Sequence, residues 1–80
     1  MRLDKYLKVS RLIKRRTVAN EACSGSRVLA NGKAVKPSYD VKEGDVLEIR
    51  FGESVLKVEV RATPEHAAKN DAASLYRVID

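Results

Sequence analysis

The densest group of chemically active side chains in this sequence is the basic run Lys14-Arg15-Arg16, and further cations precede it at Arg2, Lys5, Lys8 and Arg11. Residues 1–27 hold eight cations against two acids, whereas residues 28–80 hold eight cations against nine acids. Few cations of the first third can therefore be paired internally. This asymmetry favours a surface that binds a polyanion over a helix face that is merely solvated.

The chain offers little for catalysis or metal binding. His66 is the only histidine and has no cysteine or second histidine at ligand spacing. Cys23 stands at a small-residue packing position, which favours a buried apolar role over a reactive thiol, although the nearby cations could lower its pKa. The four glycines are scattered and form no loop that could cradle a phosphate. We expect a binding module without metal or cofactor, not an enzyme.

Composition also bounds the class of protein. Eighty residues predict one small domain, and the single cysteine fits a reducing cytosol rather than a disulfide framework. No segment approaches the ~20 apolar residues that span a bilayer, and the charged N-terminus lacks a signal-peptide core. We expect a cytoplasmic protein without membrane contact.

Two helices are predicted to position the cations. Helical spacing of Leu3, Tyr6, Leu7 and Ser10 predicts the first helix from Leu3 to about Val9. The second is predicted from about Arg15 to Ser24, with small residues at Ala19, Ala22 and Cys23 for close packing, and with Leu12 and Ile13 entering the core just before it.

Gly25 is placed where a C-cap glycine with positive φ belongs, at the end of the second helix.

The basic run would lie at the start of the second helix, where free N–H groups and the helix dipole favour anions. Three unneutralised cations would slightly disfavour that helix, and this local cost indicates a functional role.

Strands follow the helices. Asn31-Gly32 predicts a type I′ hairpin turn, because both residues tolerate positive φ, and Pro37 should end the pairing. Turns at residues 43–45 and 52–54 bound two alternating strands, with Leu47, Ile49 and Phe51 on the buried face of the first and Leu56, Val58 and Val60 on that of the second. A short helix across Ala67 and Ala68 is expected, and residues 74–79 could form a strand or a helical turn.

The predicted fold is α+β, with two N-terminal helices packed on a small, mostly antiparallel β-sheet. We expect residues 1–61 to form the binding domain and residues 62–80 a C-terminal extension that packs on it or trails from it.

The polyanion is expected to be structured RNA. A helix-turn-helix is less favoured, because the second helix is short and alanine-rich, with few long polar side chains after Arg16 to read base edges. The cations suit recognition of phosphates and shape. A membrane-surface helix is the other alternative, but Leu3 and Leu7 are needed for the core.

Residues 2–49 resemble the RNA-binding domain named after ribosomal protein S4. The shared features are Arg2-Leu3-Asp4-Lys5, Ser10-Arg11, the basic start of the second helix, Gly25, Arg27-Val28, Asn31-Gly32, Lys36-Pro37-Ser38 and Gly44-Asp45. Nearly the whole chain is similar to small stand-alone bacterial members of this family. These are the ribosome-associated quality-control factors of the RqcP type and the related small ribosome-binding heat-shock proteins. Residues 1–21 and 40–52 carry this narrower likeness.

The resemblance implies a function and its partners. It implies binding to stalled large ribosomal subunits that carry peptidyl-tRNA, with contacts to 23S rRNA and to the P-site tRNA. An RqcH-type partner would then add alanine tails to the stalled peptide. A general rRNA-binding heat-shock or assembly factor is the alternative. An accessory piece of an RNA-modifying enzyme would need a catalytic domain, for which we expect no room after residue 50. A monomer is expected.

The resemblance also assigns residues. The RNA-binding positions that match the family would be Arg2, Arg11, Lys14, Arg15 and Arg16, and the core positions Leu3, Leu7, Val28 and Val46. We add Lys5 and Lys8 to the expected RNA-binding residues, and Lys36, because beside Pro37 it could reach a phosphate. Asp4 is expected to cap the first helix or, less favoured, to orient Lys8 one helical turn away. Asn31 and Gly32 are expected to serve the turn.

Overall fold

Two helices precede a five-stranded antiparallel sheet in the computed structural model, which describes residues 1–64 and 69–79. The elements are α1 (Leu3–Val9), α2 (Arg16–Ser24), β1 (Val28–Ala30), β2 (Lys33–Ala34), β3 (Val46–Phe51), β4 (Ser54–Val60), a 3₁₀ helix (Lys69–Leu75) and β5 (Tyr76–Ile79). The strand order is β2-β1-β3-β4-β5. The α+β prediction is confirmed. The helix expected across Ala67 and Ala68, and His66 beside it, lie outside the described residues.

The apolar face of α1 forms the centre of the core. Leu3, Tyr6 and Leu7 are completely buried, as their helical spacing predicts, and Ser10 is buried beside them. The Tyr6 hydroxyl donates a hydrogen bond of 2.7 Å to the Leu75 carbonyl. Burial raises the pKa of Tyr6, so the phenol stays protonated and keeps donating. This bond ties α1 to the 3₁₀ helix.

The ends of α2 differ from the prediction in two details. The helix begins at Arg16, and Arg15 is its N-cap in extended conformation. Gly25 has a φ of −85°, so the positive φ expected there is wrong. Ser26 adopts the left-handed conformation instead, with a φ of 59°. A Cβ at Gly25 would lie 3.2 Å from the Glu21 carbonyl oxygen, so space rather than φ favours glycine.

The hairpin between β1 and β2 is confirmed. Asn31 and Gly32 have φ values of 52° and 84°, and Ala30 pairs with Lys33 across the turn. Asn31 also does more than turn the chain. Its side-chain amide donates to Asp45 over 3.2 Å, and its side-chain oxygen accepts the backbone N–H of the residue after Asp45 over 3.0 Å. The turn is therefore anchored to the start of β3.

The central strands bury one face each over part of their length, and Leu56 on that face of β4 is only half-buried. Leu47 and Ile49 on β3 and Val58 on β4 are buried, as their alternation predicts. Phe51 is 46% exposed, so its predicted burial is wrong. It pairs with Ser54 at the last position before the turn, where β3 ends. Val46, expected in the core, is only half-buried.

The C-terminal segment completes the sheet. β5 pairs antiparallel with β4, with Tyr76 opposite Val60 and Ile79 opposite Lys57. Residues 74–79, for which a strand or a helical turn was open, contain the end of the 3₁₀ helix and then the strand. None of the helices in the described residues has the length and apolar character that crossing a bilayer requires.

Candidate nucleic-acid interface

The start of α1 is held by the segment that follows the hairpin. The backbone N–H of Leu3 donates to the Tyr39 carbonyl over 2.8 Å, and that of Asp4 to the Pro37 carbonyl over 3.2 Å. These bonds satisfy N–H groups that a helix start otherwise leaves open. Lys36, which directly precedes Pro37 in the chain, is exposed.

Asp4 is a buried carboxylate that joins the two helices. Its residue surface is only 2% exposed. Arg2 contacts both carboxylate oxygens, at 3.2 and 3.3 Å, and Arg16 lies 3.5 Å from one of them. The Asn20 side-chain amide and the Lys5 backbone N–H donate to the same carboxylate over 3.3 and 2.8 Å. We call Arg2, Asp4, Arg16 and Asn20 the Asp4 cluster.

The two expected roles of Asp4 are therefore corrected. The N-cap of α1 is Arg2, which makes no side-chain cap hydrogen bond, and the carboxylate pairs with Arg2 and Arg16 rather than Lys8. Burial alone would raise the pKa of Asp4. The hydrogen bonds from Arg2 and Asn20 and the charge of Arg16 outweigh it and hold that pKa below its ordinary value of 3.8. Asp4 is thus ionised at neutral pH.

The Asp4 cluster keeps positive charge at the surface. The side chains of Arg2 and Arg16 are 51% and 49% exposed, whereas that of Asp4 is 3% exposed. Two guanidinium groups share one carboxylate, so the cluster has one excess positive charge. The Asp4 carboxylate holds each guanidinium group on the side that faces it. Each group keeps other N–H donors for an anion outside the protein. The expectation that the whole basic run is unneutralised is wrong for Arg16.

The N-terminus of α2 adds to this field. Arg15 makes no side-chain cap hydrogen bond, and the first turn contains no acidic residue. The first N–H groups of a helix lack intrahelical partners, and the positive end of the dipole lies here. Lys14 and Arg15 are exposed beside it. The arrangement can hold a phosphate oxygen by charge and by N–H donors together.

The remaining predicted cations are distributed around the helix pair. Lys8 and Arg11 are exposed at the opposite end of α1 from Arg2, where the Arg11 N–H donates to the Lys8 carbonyl over 3.1 Å. Arg11 has a φ of 61°, a left-handed conformation at the helix end. Lys5 is half-buried in the middle of α1. The structure thus brings Arg2 and Arg16 onto one carboxylate, and it does not gather all eight residues at one point.

Sequence reasoning missed Asn20 and the organising role of Asp4. Asn20 lies four residues after Arg16, a spacing that places both on one face of α2, and this signal was available. The pairing of Asp4 with Arg16 spans twelve residues and depends on how α1 packs on α2. Spacing within one helix could not reveal it.

Cys23 behaves as the packing residue that its position predicts. It is 3% exposed, and burial raises its pKa to about 11, with a further contribution from the charge of Asp4. The idea that the basic run lowers this pKa is wrong. Within residues 1–64 and 69–79, no three His, Cys, Asp or Glu side chains gather where they could hold a metal ion.

Comparison with known proteins places this chain in a family. Residues 1–47 match the S4 domain. The "RQC P-site tRNA stabilizing factor" of Halalkalibacterium halodurans is 53% identical over 78 residues, which cover 98% of this chain and 89% of that protein. The protein of the same name from Bacillus subtilis is 48% identical over 79 residues, covering 99% and 92%.

A solved structure agrees with the fold. Heat Shock Protein 15 of Vibrio cholerae, described as a trimeric structure, matches with a TM-score of 0.91 and 30% identity. The match covers 99% of this chain and 81% of that one. At 99% coverage, the match extends past the S4 match and includes residues of β5.

Proposed function

Because this chain belongs to the S4 domain family, we propose that it is an RNA-binding factor that stabilises P-site tRNA during bacterial ribosome-associated quality control. The observation that carries the proposal is the identity of about half of all residues, over nearly the full length, with proteins of that name. The Asp4 cluster and the uncapped start of α2 supply groups that such a role needs.

The proposed partners are the large ribosomal subunit and the peptidyl-tRNA that remains on it after stalling. Contacts to 23S rRNA and to the tRNA would be made mainly through phosphates, because exposed cations lie on and directly beside the two helices, at Arg2, Lys8, Arg11, Lys14, Arg15 and Arg16. A factor seated on both RNAs would hold the tRNA in place while an RqcH-type partner adds alanines. The protein itself would act by binding and positioning rather than by catalysis.

The proposed RNA contacts have unequal support from the geometry. The support is strongest for Arg2 and Arg16, because the Asp4 carboxylate holds their guanidinium groups in place. Lys14 and Arg15 follow from their place at the uncapped end of α2. The full proposed set is Arg2, Lys5, Lys8, Arg11, Lys14, Arg15, Arg16 and Lys36. We assign RNA binding to residues 1–61, and residues 62–80 are the proposed extension.

The alternative function is that of a general rRNA-binding heat-shock or assembly factor of the large subunit. The specific observation in its favour is the TM-score of 0.91 with Heat Shock Protein 15. Both functions use the same basic surface and differ in whether peptidyl-tRNA is required. We propose a cytoplasmic monomer without membrane contact in either case, which light scattering of the purified chain would test against a trimer.

Co-sedimentation with purified large subunits separates the two functions. The subunits are prepared with and without peptidyl-tRNA, and binding is measured at 50 and 200 mM salt. Binding that requires peptidyl-tRNA is expected, and addition of an RqcH-type factor and alanyl-tRNA should then yield alanine tails that depend on this chain. Equal, salt-sensitive binding to empty subunits would replace the proposed function by the alternative.

A further inference from the structure

A groove separate from the Asp4 cluster lies between the α1–α2 loop, α2 and the end of β3. Its volume is about 330 Å³. The floor is apolar and is formed by Leu12, Ile13, Val18, Ala22, Ile49 and Phe51. Its volume lies at the lower end of the range usual for ligand sites, which suggests a small occupant.

The floor leaves apolar surface open to solvent. Val18 and Phe51 are each 46% exposed, and both line the groove. Phe51 is the only phenylalanine of the chain, and it stands on the last position of β3, whose Leu47 and Ile49 are buried. An exposed aromatic ring next to an apolar hollow is a common feature of surfaces that bind a planar ligand.

The rim of the groove is positively charged. Lys14, Arg27 and Arg50 line it, and all three are exposed. The Arg50 N–H donates to the Arg27 carbonyl over 2.8 Å, which makes the two arginines neighbours across the strands. Among the residues that the structure describes, no ion pair involves these three cations and no acidic residue lines the groove. The charge is complementary to an anion.

We propose that this groove binds one unpaired nucleotide of RNA, with its base against Phe51 and Val18 and its phosphate at the cationic rim. A nucleotide combines a planar apolar face with a negative charge, and proteins commonly recognise splayed-out RNA bases by stacking them on aromatic side chains. The inference rests on the proposed function, because it requires that the chain binds RNA. Lys14 belongs to both surfaces and joins the groove to the basic run.

The test compares two RNA hairpins that differ only in one base. The first carries a single bulged nucleotide, and the second has an abasic residue at the same position, so the phosphate charge is identical. Fluorescence anisotropy with the full chain should show about tenfold tighter binding to the base-bearing hairpin, in the range that stacking of one base provides. Equal binding of the two hairpins would overturn the inference.

Substitutions assign the preference to the groove. Phe51→Ala should bind both hairpins equally, and Phe51→Leu, which keeps apolar volume without an aromatic ring, should lose most of the preference. Val78→Ala is the matched control, because Val78 is 55% exposed on β5 and does not line the groove. It should keep the full preference. A Phe51→Ala variant would overturn the inference if its melting temperature equals that of the wild type and it still binds the base-bearing hairpin more tightly than the abasic one.

The rim is tested by charge removal. The double variant Arg27→Gln with Arg50→Gln should weaken binding of both hairpins by the same factor and lower the salt dependence, because it removes phosphate contacts that do not read the base. A salt dependence identical to that of the wild type would contradict the proposed rim. The base preference should remain in this variant as long as Phe51 is present.

Other outcomes separate this inference from the proposed function. A wild-type chain that co-sediments with peptidyl-tRNA-bearing subunits but shows no base preference, or binds neither hairpin, overturns the groove assignment alone. A chain that binds neither subunits nor hairpins overturns both. If instead a labelled acidic peptide rich in leucine binds and Phe51→Ala abolishes that binding, the groove belongs to a protein partner and the nucleotide assignment is wrong.

Discussion

Asp4 determines how Arg2 and Arg16 present their guanidinium groups. The carboxylate is buried, and both arginines approach it from the surface at 3.2 to 3.5 Å. Removing a buried carboxylate that accepts several charged hydrogen bonds costs more than removing an exposed one. Asp4 therefore has a structural role of its own, apart from any contact with RNA.

Acidic pH should remove the stabilisation that the ionised Asp4 gives to the fold. The pKa of Asp4 in the folded chain is below 3.8, because the hydrogen bonds from Arg2 and Asn20 and the charge of Arg16 outweigh its burial. A lowered folded-state pKa adds stability that is fully present above the unfolded pKa and is lost as pH falls through the folded one. Asp4→Asn should lower the free energy of unfolding by about 2 kcal/mol at pH 7. That difference should shrink below about pH 4.

Urea unfolding at pH 7, 5 and 3 measures this difference. Glu53→Gln is the matched control, since it removes one carboxylate from an exposed turn. A cost of Asp4→Asn that is unchanged between pH 7 and pH 3 would show that the ionised carboxylate is not what stabilises the fold.

Arg15 and Arg16 should matter more for RNA than for folding. Arg15 is exposed, and the Arg16 side chain is 49% exposed, so the double variant Arg15→Ala with Arg16→Ala should lower the free energy of unfolding by no more than about 1 kcal/mol. Each lost phosphate contact should reduce the slope of log affinity against log salt by about 1. Urea unfolding measures the first effect, and binding to large subunits at several salt concentrations measures the second.

The control for this pair removes the same charge elsewhere. Lys57 and Arg77 lie on β4 and β5 and pair with glutamates at the surface, so Lys57→Ala with Arg77→Ala changes the net charge equally. If both double variants bind subunits as tightly as the wild type, the basic run has no role in RNA binding. If both lose affinity equally, only net charge matters.

At the scale of elements, the hairpin turn is the clearest dependence on one residue. Gly32 has a φ of 84°, and a Cβ there would meet no atom within 4 Å, so a substitution is opposed by backbone strain alone. Gly32→Ala should destabilise the fold by about 1 to 2 kcal/mol, whereas Gly32→Asn should cost less, because asparagine tolerates this conformation. Thermal unfolding distinguishes the two variants. Equal stability of Gly32→Ala and the wild type would contradict this reading of the turn.

The elements could be predicted where one local signal dominates. The spacing of Leu3, Tyr6 and Leu7 predicts α1, and Asn31-Gly32 predicts the hairpin, because helical periodicity and positive φ are properties of neighbouring residues. Phe51 could not be placed by alternation, since it stands at the end of β3 and is 46% exposed. Alternation indicates which residues share a face, but it does not show how far that face is covered.

For the candidate site, the sequence predicts which cations take part but not how they are arranged. Charge along the chain indicates the cations of the first third, yet it does not show that Arg2 and Arg16 share one carboxylate. It also does not show that Arg27 and Arg50 meet beside Phe51. Both arrangements join residues that are far apart in sequence, and the packing of α1 on α2 and the pairing of β1 with β3 create them.

At the scale of the whole molecule, the RNA affinity of Asp4→Asn separates two effects, that of net charge and that of holding Arg2 and Arg16 in place. The net charge of the chain is +5, and Asp4→Asn raises it by one. If attraction to RNA depended on net charge alone, this variant would bind more tightly. If the cluster acts by holding Arg2 and Arg16 in place, the variant loses affinity, because the freed side chains must be ordered again on binding.

The affinity of Asp4→Asn for large subunits that carry peptidyl-tRNA, measured beside the wild type at 100 mM salt, tests this account most directly. The account predicts about tenfold weaker binding by a variant that is still folded, as the loss of pre-organisation of two arginine side chains would cause. Binding as tight as that of the wild type, or tighter, would contradict it and leave the basic surface acting through its net charge alone.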